Sequence, residues 1–178
     1  MKETCKVLSS KLIYHGRVFD VVDDELIMPD GRKFARATIV HPGAVVIMPV
    51  LDDGSVLAIR QYRHPLRRTI LEFPAGTLDK GEAPLDCARR EICEETGYGA
   101  ATWQDLGIVY PGPGICSEIQ HLFVARDLRP EKLQGDEDEV IEVQRFSVTE
   151  IEEAIRSGEL SDAKSIALFM RARLEGLI

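Results

Sequence analysis

The sequence predicts an α+β fold in which a mixed β-sheet carries helices on its faces, preceded by an N-terminal antiparallel hairpin. Three observations lead there. Apolar runs of strand length dominate the first part of the chain, one helical pattern interrupts the strands after residue 83, and two more close the chain. The order strands, helix, strands, two helices lacks the regular alternation of a doubly wound parallel sheet.

Taken in order, Leu12 to Val40 reads as extended pieces folded about Pro29-Asp30-Gly31, a turn triplet between apolar runs. Val45 to Leu51 is a continuous apolar strand, Asp52 to Ser55 supplies a turn, and Val56 to Tyr62 returns as a second strand. Ile70 to Phe73 is another. A helix is expected from Pro84 to Thr96, with proline suited to its first turn and Gly97 to its stop. Leu106 to Tyr110, Ile119 to Val124 and Val140 to Phe146 read as strands, separated by a Pro/Gly loop and an acidic loop. Thr149 with Glu152 forms the pattern of a capping box, and Ser161 is placed to cap a last helix with Ile166, Phe169, Met170 and Leu174 on its apolar side. The expected subdivision is a hairpin over 1–40 and a main domain over 41–178.

The chain has 178 residues, a size that supports one core of ordinary dimensions. Its net charge of −8 disfavours nucleic acid as a partner. The longest apolar stretch, Ala44 to Leu51, contains Pro49 and falls far short of the ~20 residues that span a bilayer, so no membrane is expected. Residues 1 to 12 lack the apolar segment of a secretory signal, which points to the cytoplasm. Cys5, Cys87, Cys93 and Cys116 then read as free thiols, with neither a CxxC pair nor a histidine cluster to suggest zinc.

The chemistry is concentrated in Gly76 to Tyr98, GTLDKGEAPLDCARREICEETGY. On a helix Glu91, Glu94 and Glu95 crowd onto one side, where like charges cost ~0.2–0.5 kcal/mol per pair. A solvated acidic face would explain three glutamates alone. Carboxylates in such number also suit a hard cation such as Mg²⁺, which commonly bridges protein oxygens to substrate phosphates. The full pattern is Gly, five residues, Glu, seven residues, Arg-Glu-Ile-Cys-Glu-Glu-Thr-Gly-Tyr. This pattern is similar to the Nudix box, and the chain resembles the Nudix hydrolases. A chance match of seven specified positions is of order 10⁻⁸ per register. Tyr98 departs slightly from the aliphatic residue or tryptophan usual at the end of the box.

The resemblance implies an α/β/α sandwich with metal bound by Glu91, Glu95 and the carbonyl of Ala75, and by Glu94 directly or through water. Glu82 and Arg90 would orient these groups. It implies two or three Mg²⁺ ions, with Mn²⁺ as the alternative. Outside the box, Pro113 in the loop 110–118, Arg60-Gln-Tyr-Arg63 and Glu72-Phe-Pro-Ala-Gly76 resemble the ADP-ribose pyrophosphatase subgroup. That likeness implies hydrolysis of ADP-ribose to AMP and ribose 5-phosphate, with Arg63, Arg60, Glu72, Arg36, Phe19 and Pro113 as candidates for substrate binding. Arg63 could equally be a surface arginine, Arg36 could be solvated, Phe19 could be core, and Pro113 taken alone could be a plain loop breaker. In the acidic run 135–139, either Glu137 or Glu139 would be the general base, with the other binding metal, Glu139 being the candidate for that, or facing solvent. The N-terminal hairpin would pack across a homodimer. The rival readings are a pyrophosphatase for another nucleotide sugar, such as GDP-mannose or ADP-glucose, or for a dinucleotide, and a non-catalytic nucleotide sensor.

Overall fold

The computed structural model describes residues 5–131, 133–135 and 140–178. Among these the chain forms ten strands and three α-helices, and it divides into two units, one reaching to Gly43 with Tyr110–Ile119, the other Ala44–Val109 with Gln120–Ile178.

The first unit is an antiparallel meander of β1 (Lys6–His15), β2 (Asp20–Ile27) and β3 (Lys33–Val40). Its second turn is the expected one at Pro29-Asp30-Gly31. The Gly31 N–H donates to the Met28 carbonyl at 2.9 Å with φ +87°, a conformation that glycine reaches without strain, and Asp30 accepts the Arg32 N–H at 3.1 Å. The expected hairpin is therefore β2–β3, with one further strand before it. Every residue of β1 is exposed, so no burial alternation marked it in the sequence. The Pro/Gly loop runs beside β3, where Ile39 N–H donates to the Ile115 carbonyl at 2.8 Å and Ser117 N–H to the Ile39 carbonyl at 2.9 Å.

The second unit starts with β4 (Ala44–Pro49), buried at every position because it lies inside a sheet covered on both faces. It runs parallel to β9 (Gln120–Pro130) and antiparallel to the short β7 (Ala75–Thr77), and β9 pairs on its other side with β8 (Tyr98–Val109), giving the order β7-β4-β9-β8. A second sheet has β5 (Val56–Arg63) between β10 (Ile141–Phe146) and β6 (Arg68–Glu72). The alternation of β4 divides the core in two. Val45 and Ile47 join Cys87, Ala88, Ile92 and Cys93 of α1 (Pro84–Thr96). Val46 and Met48 join Ile151 of α2 (Val148–Ser157) and Leu168 and Phe169 of α3 (Ala163–Leu174). Helices thus cover both sides of a mixed sheet, as expected.

Four local expectations are corrected. β8 is 12 residues long rather than the Leu106–Tyr110 segment, held by pairing with β9 and carrying a register shift between Asp105 and Ile108. The cap of α2 is Ser147 with Glu150, not Thr149 with Glu152, and α3 is capped by Asp162, not Ser161. On α3, Met170 and Leu174 are exposed, and the buried face is Leu168, Phe169 and Ala172.

Candidate active site

The site grows from the meeting of β7 with α1. β7 pairs with β4 so that Gly76 lies opposite Val45, on whose side α1 packs. The helix begins at Pro84 and ends at Gly97 with φ +75°, its cap N–H donating to the Cys93 carbonyl. Its row Cys87, Glu91, Glu95 runs along the flank that meets β7. A Cβ on residue 76 would overlap the Glu91 carboxyl, so the approach of helix to strand requires glycine there. Glu95 is buried, and one of its oxygens accepts the Ala75 N–H at 2.9 Å. The expected ligand groups Ala75, Glu91 and Glu95 are thus brought to one place.

Arg90 organises the other carboxylates. Its Nε and Nη2 donate to the two oxygens of Glu82, each at 3.1 Å, and its Nη1 donates to Glu91 at 2.7 Å and Glu94 at 2.9 Å. The Glu82 hydrogen bond holds the guanidinium pKa above its ordinary value against the cost of burial. The same contact, aided by the Asp79 N–H, lowers the pKa of Glu82. Glu82 and Arg90, expected to orient the ligand groups, are thus bonded to each other, and Arg90 to Glu91 and Glu94. Cys87 adds a contact the sequence did not signal, its sulfur 3.4 Å from Arg90 Nη2 and 3.6 Å from the Thr77 carbonyl. Burial, then the nearby Glu91 and Glu82, raises its pKa, so it is a neutral thiol.

Among the described residues no three His, Cys, Asp or Glu side chains form a ready-made metal cage, because these carboxylates lie against Arg90 and Ala75. The donor set nevertheless fits a hard cation. Glu82, Glu91, Glu94 and Glu95 bring four negative charges to a region where Arg90 supplies one positive charge, and every donor is an oxygen.

A second cluster spans the antiparallel pair β5–β6, from Arg63 at the end of one strand to Glu72 at the end of the other. Arg63 grips Glu72 with Nε at 2.7 Å from Oε1 and Nη2 at 2.9 Å from Oε2, and Lys164 also donates to Oε2. Burial works against the Arg63 charge, but the Glu72 pair outweighs it and the pKa is raised. Glu72, expected to bind substrate, has no accessible surface, so it can act on one only through another residue. Lys164 was not expected at the site. Glu72 and Lys164 stand 92 positions apart, which no spacing rule connects.

Arg60 is committed to Gln144 at 2.9 Å and to Glu159. Phe19, Arg36 and Pro113 belong to the first unit: Phe19 lies 6.2 Å from the Tyr14 ring, Arg36 stacks 4.9 Å above Phe34, and Pro113 is exposed in a turn. Glu137 and Glu139 lie outside the described residues. Gly135, the first residue of the run 135–139, is next to Glu94, and a Cβ built on it would stand 3.5 Å from the Glu94 carbonyl oxygen.

Comparison with known proteins agrees with this geometry. A profile of the NUDIX domain matches residues 40–169. The chain is 39% identical over 162 residues to the ADP-ribose pyrophosphatase of Bacillus subtilis (strain 168), covering 90% of this chain and 88% of that one. It is 35% identical over 176 residues to the GDP-mannose pyrophosphatase of Yersinia enterocolitica, covering 92% and 89%. A crystal structure of an ADP compounds hydrolase superposes with a TM-score of 0.87 at 27% identity, over 98% of this chain and 96% of the other. The carboxylates gathered by Arg90 along α1 are thus those of a Nudix box, and the chain belongs to the Nudix hydrolase family.

Proposed function

We propose that this enzyme hydrolyses the diphosphate of ADP-ribose, with water, to AMP and ribose 5-phosphate. The observation that carries the reading is the placement of Glu91 and Glu94 on Arg90 with Glu95 on the Ala75 N–H, which collects oxygen donors at the mouth of β7. Glu91, Glu95, Glu94 and the Ala75 carbonyl would hold the metal, two or three Mg²⁺ ions or Mn²⁺, with Glu139 a further candidate ligand. Bound there, such ions offset phosphate charge and lower the pKa of water. Arg63 would orient the diphosphate or the terminal ribose, since a guanidinium edge matches phosphate oxygens. Glu137 or Glu139 would accept the proton of the attacking water, and the nearness of Gly135 to Glu94 supports bringing that run to the site.

A nucleotide sugar other than ADP-ribose is the second reading, favoured by the 35% identity to a GDP-mannose pyrophosphatase. Comparing kcat/KM for ADP-ribose, ADP-glucose, GDP-mannose and NADH with Mg²⁺ present decides between them, ADP-ribose being expected highest. AMP release should be abolished by Glu94→Gln. Highest turnover on GDP-mannose would replace the substrate named here. Glu137→Gln and Glu139→Gln should reduce kcat unequally, and full kcat in both would remove the acidic run from the chemistry.

The same proposal includes a homodimer. Val7, Leu12, Ile13 and Tyr14 of β1 are each more than half exposed, and apolar side chains on an edge strand favour cover by a second copy. Sedimentation as a monomer at micromolar concentration would remove this part alone.

A further inference from the structure

The Glu72 carboxylate is fully buried, and its cost is met by an unusual set of partners. Arg63 and Lys164 both bond to it, Lys164 also bonds to Asp162 Oδ2 at 3.0 Å, and Asp162 accepts the Ser165 N–H at 3.0 Å and its hydroxyl at 2.6 Å. Ser165 Oγ in turn accepts the Phe73 N–H at 2.7 Å. Two carboxylates balance two cations, and the set ties β5 and β6 to the first turn of α3. Buried ion pairs of this kind can commonly be replaced by apolar side chains without loss of stability, so stability alone is a weak reason for one.

The exposures give the set a direction. Side-chain exposure is 0% at Glu72, 12% at Lys164 and 16% at Asp162, but 35% at Arg63. The most exposed member of the set is therefore Arg63, which gives its Nε and Nη2 edge to Glu72 and so keeps the Nη1 end of its guanidinium out of that pair. An arginine gripped along one edge presents the other at a fixed angle, and lysine in its place could not.

We propose that Lys164 is a positioning residue for substrate binding, which by holding Glu72 Oε2 fixes the plane of the Arg63 guanidinium and presents its outer edge to a phosphate of the nucleotide sugar. The inference rests on the ADP-ribose reading above. Without Lys164, Asp162 loses its cation. Its negative charge, which already acts on Arg63 through space, is then left to draw the guanidinium away from Glu72.

The test compares Lys164→Met with the wild-type enzyme on ADP-ribose and Mg²⁺, and repeats the pair in an Arg63→Gln background. In the wild-type background KM should rise about tenfold, the order expected when one charge-assisted bond behind a binding group is lost, with a smaller change in kcat. The Kd of ADP-ribose, measured by calorimetry in EDTA, should rise by the same factor. In the Arg63→Gln background Lys164→Met should change neither. Asp162→Asn/Lys164→Met removes the stray anion along with the cation but still leaves Glu72 Oε2 without its lysine, so its KM and Kd should rise in the wild-type background and not in the Arg63→Gln one, and it carries the test where the single variant does not fold. A KM and Kd unmoved by Lys164→Met, or a tenfold loss that persists without Arg63, overturns the inference. Absence of any ADP-ribose turnover by the wild type overturns the substrate reading first, and this inference with it.

Discussion

A methyl group at residue 76 would stand where the Glu91 carboxyl lies, because β7 brings this position against the flank of α1. Glu91 would have to swing away, taking with it the 2.7 Å bond from Arg90. Gly76→Ala should therefore lower kcat/KM about 100-fold, as a displacement of an ångström or so does to a positioned group, while thermal unfolding shifts by only roughly 2–10 °C. Equal turnover by the variant would remove Glu91 from the site. Cys87 allows a second prediction at this scale. Burial and then the neighbouring carboxylates raise its pKa, so its thiolate fraction is small at any pH below its ordinary 9.0, whereas Cys5 is exposed. Iodoacetamide at pH 8 should alkylate Cys5 well before Cys87, read by peptide mass spectrometry, and modification of Cys87 should require unfolding.

Elements show where local sequence is decisive and where it is not. Both Ser147-Val-Thr-Glu150 and Thr149-Glu-Ile-Glu152 fit the capping-box pattern, and the chain uses the first. The choice follows from packing: with Ser147 as cap, Phe146 before it and Ile151 in the first turn both reach the core that Val46 and Leu168 share. The box along α1 was legible because its charges, their helical phase and its two glycines lie within 22 residues, from Gly76 to Gly97. β7, with three residues, carries no periodicity, and Tyr98 to Asp105 of β8 is extended because β9 pairs with it rather than by its own pattern. Lys164 beside Glu72 was illegible for the same reason, since only the packing of α3 joins them. The cap of α2 gives a pH test. The Ser147 N–H and then its hydroxyl hold the Glu150 pKa below its ordinary 4.5. A carboxylate with a lowered folded pKa adds stability above 4.5 and loses it as pH falls through the lowered value. Glu150→Gln should thus lower the urea midpoint at pH 7, and the two proteins should converge in acid. A difference that stays constant with pH would mean that the charge of Glu150 contributes nothing.

At the scale of the whole molecule, a chain of net charge −8 places four carboxylates around Arg90 and β7 and must then admit an anionic substrate. Crowding of this kind opposes folding until a cation offsets it, so metal affinity should be visible in stability before any substrate is added. A ligand that binds only the native state at ten times its dissociation constant stabilises by about 1.4 kcal/mol, which for a protein of this size raises Tm by roughly 3–6 °C. Mg²⁺ in place of EDTA, at constant ionic strength, should give a rise of that order in the wild type. The control is charge without coordination: a matched concentration of NaCl screens the same repulsion over a Debye length but occupies no site. In Glu95→Gln the Ala75 N–H still finds a side-chain oxygen, so the fold is kept while one anionic donor is removed, and the rise should shrink toward the NaCl value. If Mg²⁺ and NaCl shift Tm equally in the wild type, the carboxylates along α1 form a solvated acidic face held by Arg90, and the metal chemistry proposed for them is wrong. A Mg²⁺-specific rise that Glu95→Gln abolishes assigns the ion to that face of α1 without any measurement of turnover.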